Sequence, residues 1–249
     1  MRELFKKLIS INSVVPNEQE VGGFVFDYLK NIGFDIQEVV TGKDRRNFVA
    51  THGASEKYVA FYGHLDTVPP DPRFEVDPFT VRIEGDIAKG LGTSDMKGGL
   101  SCILKVGEWA VEQNLPVKII IGVDEENISE GAHDLVNSGL LNDLAFLMAA
   151  ESGQYSETPQ PVNLIYGRKG RIVFDIKVYG KSAHAADKAK GINAIEEAAK
   201  LITAMKEISF APHKNLGSTD IIVESIQAKA GGLSLPAECI FMYSSYFAK

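Results

Sequence analysis

The chain has 249 residues, 45% hydrophobic and 24% charged, an ordinary globular composition long enough for one large domain or two modest ones. Its formal net charge is −7 and its Lys and Arg are scattered, which argues against a nucleic-acid partner. Charges interrupt the apolar pattern of the N-terminal MRELFKKLISINSVVP, and no stretch approaches the ~18–20 apolar residues of a spanning helix, so the sequence predicts a cytoplasmic protein with no membrane partner.

Residues 2–9 suit a short amphipathic helix through Leu4, Phe5 and Leu8. Residues 17–30 suit a second, through Val21, Phe24, Val25, Tyr28 and Leu29, with a stop at Asn31-Ile32-Gly33. Strands are predicted at 34–40 and 47–52, then a buried strand at 58–62 ending in Gly63-His64. A loop rich in Pro and Asp covers 69–78, followed by a helix at 97–113 packing through Leu100, Ile103, Leu104, Val106 and Trp109. Apolar strands at 117–123 and 144–150 flank a helix at 130–138. Alternating strands and helices predict an α/β fold, a mostly parallel sheet with helices on both faces, whose function gathers beyond the carboxyl ends of the strands.

The pattern changes near residue 166. Residues 171–179 alternate as a half-exposed strand, 193–208 pattern as a helix, and 219–226 and 238–246 read as strands. The expected organisation is a catalytic domain at 1–166 and a small α+β domain at 167–249. The two cysteines, Cys102 and Cys239, each sit in an apolar setting and are predicted to be buried, reduced thiols.

The strand ends carry the chemistry. His64 and Asp66 are two residues apart, so one can bind a metal while the other supports the imidazole from behind. Asp95 lies in a glycine-flanked turn just before a helix. Glu125 and Glu126 are adjacent, so one can bind metal while the other faces substrate. Glu151 follows an apolar strand. Taken singly, each is an ordinary loop or cap residue. Together they would gather several anions at one sheet edge, where they repel and lose hydration unless a cation neutralises them. A two-metal centre with one bridging carboxylate resolves that repulsion. Mixed imidazole and carboxylate donors suit zinc, cobalt or manganese and not calcium. A glycine-rich phosphate loop and a Gly-x-Ser-x-Gly elbow are both missing, which disfavours a nucleotide-binding protein and a serine hydrolase.

Four motifs now stand in order: Gly63-His64-Leu65-Asp66-Thr67-Val68-Pro69, Gly92-Thr93-Ser94-Asp95-Met96-Lys97-Gly98, Asp124-Glu125-Glu126 and Glu151-Ser152-Gly153. On these the sequence resembles the zinc aminoacylase group of metallopeptidases, which contains acetylornithine deacetylase, succinyl-diaminopimelate desuccinylase and carboxypeptidase G. The resemblance extends to Asn47 and to the stretch GKSAHAADKAKGINAIEEAAKLI. It implies a metal-dependent hydrolase of N-acyl amino acids or small peptides, with one or two zinc ions. It assigns His64 and Glu151 to one metal, Asp95 to a bridge and Glu126 to the second. Asp66 would orient His64. Glu125 would be general base, passing a proton from the attacking water to the leaving amine. Residues 167–249 would form a lid and a homodimer contact, and His184 would reach the partner's site to stabilise the oxyanion. His52, His133 and His213 match no motif.

The family pattern contains one more metal-binding histidine, in a closing segment, and a later Asp-x-Arg element in the lid. This sequence carries neither, and its corresponding strand reads Ile240-Phe241-Met242-Tyr243-Ser244-Ser245-Tyr246. The expectation is therefore a shortened member with one well-held metal. The alternative is a fragment or inactive relative acting as a binding or assembly protein.

Overall fold

A computed structural model describes residues 1–74, 77–152, 164–165 and 167–247. The chain divides into two compact units, Met1–Ser156 and Glu157–Lys249.

The first unit opens with α1 (Arg2–Ser10) and α2 (Gln19–Asn31), then β1 (Asp35–Thr41), β2 (Arg45–His52) and β3 (Tyr58–His64). A short hairpin follows, β4 (Arg82–Glu84) and β5 (Ile87–Lys89), then α3 (Lys97–Glu112), β6 (Val117–Gly122), α4 (Glu130–Asn137) and β7 (Leu144–Ala149). The five-stranded sheet has the order β1-β2-β6-β3-β7. β1, β2 and β6 pair antiparallel, whereas β3 lies parallel to both β6 and β7. The sheet is therefore mixed, and among the described residues its parallel pairing is confined to the three strands whose ends carry the acids and the histidine. In register, His64 lies opposite Gly122 and Tyr62 opposite Ala149, so all three strands finish at one edge.

Alternate strand residues face opposite layers. Phe48, Ala50, Ile119 and Ile121 join the core formed with α1, α2 and α3, while Val49, Ala60 and Ile120 pack with Leu135 of α4. β6 is buried throughout, as its β-branched run Ile119-Ile120-Ile121 favours. α2 buries Val21, Val25 and Leu29 at helical spacing, and the chain leaves it through Gly33 at φ 101°.

The structure departs from the sequence reading at several points. The hairpin β4-β5 was not predicted; its strands are three residues each, too short for a periodic signal. On α3 the inward stripe is Leu100, Ile103, Leu104, Gly107 and Ala110. Trp109 and Cys102 fall off that stripe and are exposed, so only Cys239 is the buried thiol expected. β7 is also largely exposed at Phe146, Leu147 and Met148, as one of the two edge strands of this sheet.

The second unit holds β8 (Gly170–Tyr179), a 3₁₀ turn (Ala185–Lys190), α5 (Ala194–Met205), β9 (Asp220–Ala228) and β10 (Glu238–Phe247). Its antiparallel sheet has the order β8-β10-β9. Ala194 and Ala198 of α5 pack with Cys239, Phe241 and Tyr243, with Ile176 and Val178 against them. Ile172 and Phe174, which alternate in register with Ile176 and Val178 on β8, are exposed. Among the described residues no helix is long and apolar enough to cross a membrane.

Candidate metal centre

His64 ends β3 with its side chain fully buried. Its backbone N–H donates to the Met96 sulfur at 3.1 Å, which ties the end of β3 to the start of α3. The ring nitrogen Nδ1 lies 3.0 Å from the backbone oxygen of Asp66 and 3.5 Å from Asp66 Oδ1. The support from behind thus comes first from a carbonyl and second from the predicted carboxylate. Nε2 points the other way and meets Asp95 Oδ1 at 3.1 Å, Glu151 Oε1 at 3.3 Å and Glu125 Oε2 at 3.8 Å.

Asp95 sits in the turn before α3, where the Lys97 N–H donates to the Gly92 carbonyl at 2.8 Å. Glu151 follows β7, whose end is held by the Ala150 N–H donating to the Tyr62 carbonyl at 3.2 Å. Ligand atoms of His64, Asp95 and Glu151 all lie within 4.8 Å of one another. Glu126 is placed differently. Its backbone N–H donates to Asp66 Oδ2 at 2.9 Å, and its carboxyl stands outside that close trio. His184 belongs to the second unit, where it is exposed and its Nδ1 accepts the Ala186 N–H at 3.2 Å, capping the 3₁₀ turn. Gly153 of the fourth motif lies outside the described residues.

The electrostatics are those of an anionic cluster gathered around one imidazole. Burial, and then the charge of Asp95, push the Glu126 carboxyl up to about 7, with Glu125 and Asp66 adding and His64 opposing. Burial also raises Glu125, with Glu151, Asp95 and Asp66 adding and His64 opposing. For His64, burial opposes the imidazolium, but hydrogen bonds with Asp66, Asp95 and Glu151 prevail and raise it. Tyr62 is pushed up to about 12, chiefly by burial, and stays a neutral phenol beside the cluster.

A divalent cation fits this donor set. One imidazole nitrogen facing several carboxylates can share a proton with only one of them at a time, whereas a cation could be bound by His64, Asp95 and Glu151 together. Behind the ring, burial opposes the charge of Asp66, but His64 and the Glu126 N–H prevail and hold its carboxyl below the usual carboxylate range.

Two contributions escaped the sequence reading. Lys97 is almost completely buried, and its Nζ donates to the Ile11 carbonyl at 2.7 Å, fastening the start of α3 to the segment after α1. Arg45 forms ion pairs with Glu18 and with Asp124, next to the predicted base. Both partners are distant in sequence, so no local pattern reveals them.

Gly99 offers a direct test of how Glu151 is placed. A Cβ there would overlap the carbonyl oxygen of Ala150, the residue before Glu151. Gly→Ala within a helix ordinarily stabilises by ~0.5–1 kcal/mol. Here overpacking dominates, and Gly99→Ala is expected to destabilise by ~1–3 kcal/mol and to weaken metal binding. Thermal melting together with metal titration checks this. A gain in melting temperature would show that the Ala150 segment yields freely.

This fold and this site define an α/β protein with a carboxylate–imidazole cluster at its strand ends that could hold a metal ion. The chain belongs to Peptidase family M20/M25/M40, whose model matches residues 60–227. It is 32% identical over 219 residues to an acetylornithine deacetylase of Vibrio parahaemolyticus, covering 83% of this chain and 55% of that relative. The acetylornithine deacetylase of Vibrio atlanticus matches at 29% with the same coverage. The chain thus spans about half the length of the curated relatives it matches.

Among solved structures, a tripeptidase from Staphylococcus aureus superposes with a TM-score of 0.72 at 21% identity, covering 100% of this chain and 66% of that one. The dipeptidase Dug1p of Saccharomyces cerevisiae gives 0.74 at 15% identity, covering 99% and 69%. An M20 family metallo-carboxypeptidase from Sulfolobus solfataricus gives 0.73 at 16%, covering 99% and 71%. At these identities the structural likeness establishes the fold.

Proposed function

We propose that this chain carries a metal-dependent amidohydrolase centre acting on N-acyl amino acids or small peptides. The observation that carries the reading is the convergence of His64, Asp95 and Glu151 within 4.8 Å, with Glu125 3.8 Å from the same imidazole nitrogen. Residues 1–166 form the catalytic part and 167–249 the lid and dimer contact. His64 and Glu151 would hold one ion, Glu126 would hold a second, and Asp95 would be shared between them. The donor types suit zinc, with cobalt or manganese as substitutes.

A bound ion supplies the Lewis acidity that polarises the amide carbonyl and acidifies a water. The chain's own residues do the rest. Asp66 and its carbonyl fix the ring orientation of His64. Glu125, made more basic by burial, takes the proton of the attacking water and returns it to the leaving amine. His184 of a second copy stabilises the oxyanion from the lid. The deacetylase relatives favour an acetylated amino acid, and the peptidase neighbours a short peptide.

The test is to strip the purified chain with chelator, then titrate zinc, cobalt and manganese while measuring bound metal. N-acetyl amino acids, N-succinyl amino acids and tripeptides are then offered as substrates. Tight binding of at least one ion and metal-dependent release of free amine are expected. A chain that bound none of these ions at micromolar concentration would instead be a binding or assembly protein on the same scaffold.

A further inference from the structure

We infer that Arg45 is a positioning residue for the Asp124-Glu125-Glu126 turn, setting where the base and a metal-binding carboxylate stand. This rests on the metal-centre reading above. Arg45 begins β2, and its guanidinium forks between two buried acids. Nε donates to Glu18 Oε2 at 3.0 Å, the Nη2 group pairs with Glu18 Oε1, and Nη1 donates to Asp124 Oδ1 at 2.6 Å. Glu18 is 2% exposed and Asp124 fully buried.

Asp124 is the hinge of the turn. It stands at φ 67°, a left-handed conformation that few residues other than glycine, asparagine and aspartate adopt. Its Oδ2 accepts the Glu130 N–H at 3.0 Å and its carbonyl accepts the Ser129 N–H at 2.8 Å, so one residue organises the passage into α4. Just before it, the Val123 N–H donates to Asn47 Oδ1 at 3.1 Å. Just after it, the Glu126 N–H is held by Asp66 Oδ2 at 2.9 Å. Glu125 therefore sits on a turn fastened at one end to the support of His64 and at the other to Arg45.

The fork is the chemical requirement. A planar guanidinium can bind two carboxylates in fixed directions, whereas an ammonium supplies charge without that geometry. Charge also matters, since without Arg45 the buried carboxylates of Glu18 and Asp124 would lose the cation they share.

The experiment compares wild type, Arg45→Lys and Arg45→Met as full chains. Cobalt affinity, the visible spectrum of bound cobalt and far-ultraviolet circular dichroism are the readouts. Lys118→Met is the control, because it breaks the ion pair with Asp143, 2.6 Å, away from the site. Arg45→Met is expected to keep its helical signal, bind cobalt ~10–100-fold more weakly and shift the visible bands, as loss of outer support around a metal commonly does. Arg45→Lys is expected to fall between the two, and Lys118→Met to leave the spectrum unchanged. A wild-type cobalt spectrum and affinity in Arg45→Lys would overturn the positioning role. If Arg45→Met does not fold, Arg45→Lys decides. Loss of fold in both would make the triad a fold element and overturn the inference. Absence of cobalt binding by wild type would refute the metal-centre reading instead.

Discussion

Glu125→Ala is expected to leave metal bound and to lower amide hydrolysis by ~10²–10⁴-fold, the usual contribution of a positioned general base. The carboxylate lies 3.8 Å from His64 Nε2 and stands outside the trio of close ligand atoms, so its removal spares the donor set. Burial raises its proton affinity above that of an ordinary glutamate, with Glu151 and Asp95 adding to the effect. A stronger base is what proton abstraction from water needs. The prediction is checked by measuring turnover and metal content on the same sample. Turnover equal to wild type would reject Glu125 as the base, whatever the metal content.

His64→Ala carries the second large effect, and it has two parts. The site loses its imidazole donor, so high-affinity metal binding should disappear. Asp66, fully buried behind the ring, also loses its partner. Breaking a buried pair by removing one member costs ~3–5 kcal/mol, because the other charge stays desolvated. In a chain of this length that lowers the melting temperature of the metal-free protein by ~10 °C. The double substitution His64→Ala with Asp66→Asn should recover part of that loss while still binding no metal. A double-mutant cycle on thermal melts measures this coupling directly. Equal melting temperatures for wild type and His64→Ala would show that Asp66 is satisfied without the imidazole.

Much of the first unit was legible because its signals are local. The β-branched run Ile119-Ile120-Ile121 marks a buried strand, and Lys118 survives at its start because its Nζ reaches Asp143 at 2.6 Å. The strand-end positions of His64 and Glu151 followed from where apolar runs stop. The motif spacing supplied the candidate ligands, and the trio His64, Asp95 and Glu151 does converge. Boundaries and exposure were less legible. The outward placement of Cys102 and Trp109 depends on which face of α3 meets the sheet, and α3 is apolar on more than one side.

By itself, the sequence determined which chemistry-bearing residues fall near strand ends, which acids are neighbours in the chain, and therefore the kind of chemistry available. Those are properties of covalent order and of period-two or period-3.6 patterning. The tertiary structure alone decided that β3 lies between β6 and β7, so that three strand ends meet at one edge. It alone brought Arg45 to Glu18 and Asp124 across 27 and 79 residues of chain. Strand order and long-range ion pairs come from packing among elements far apart in sequence, and no local pattern encodes them.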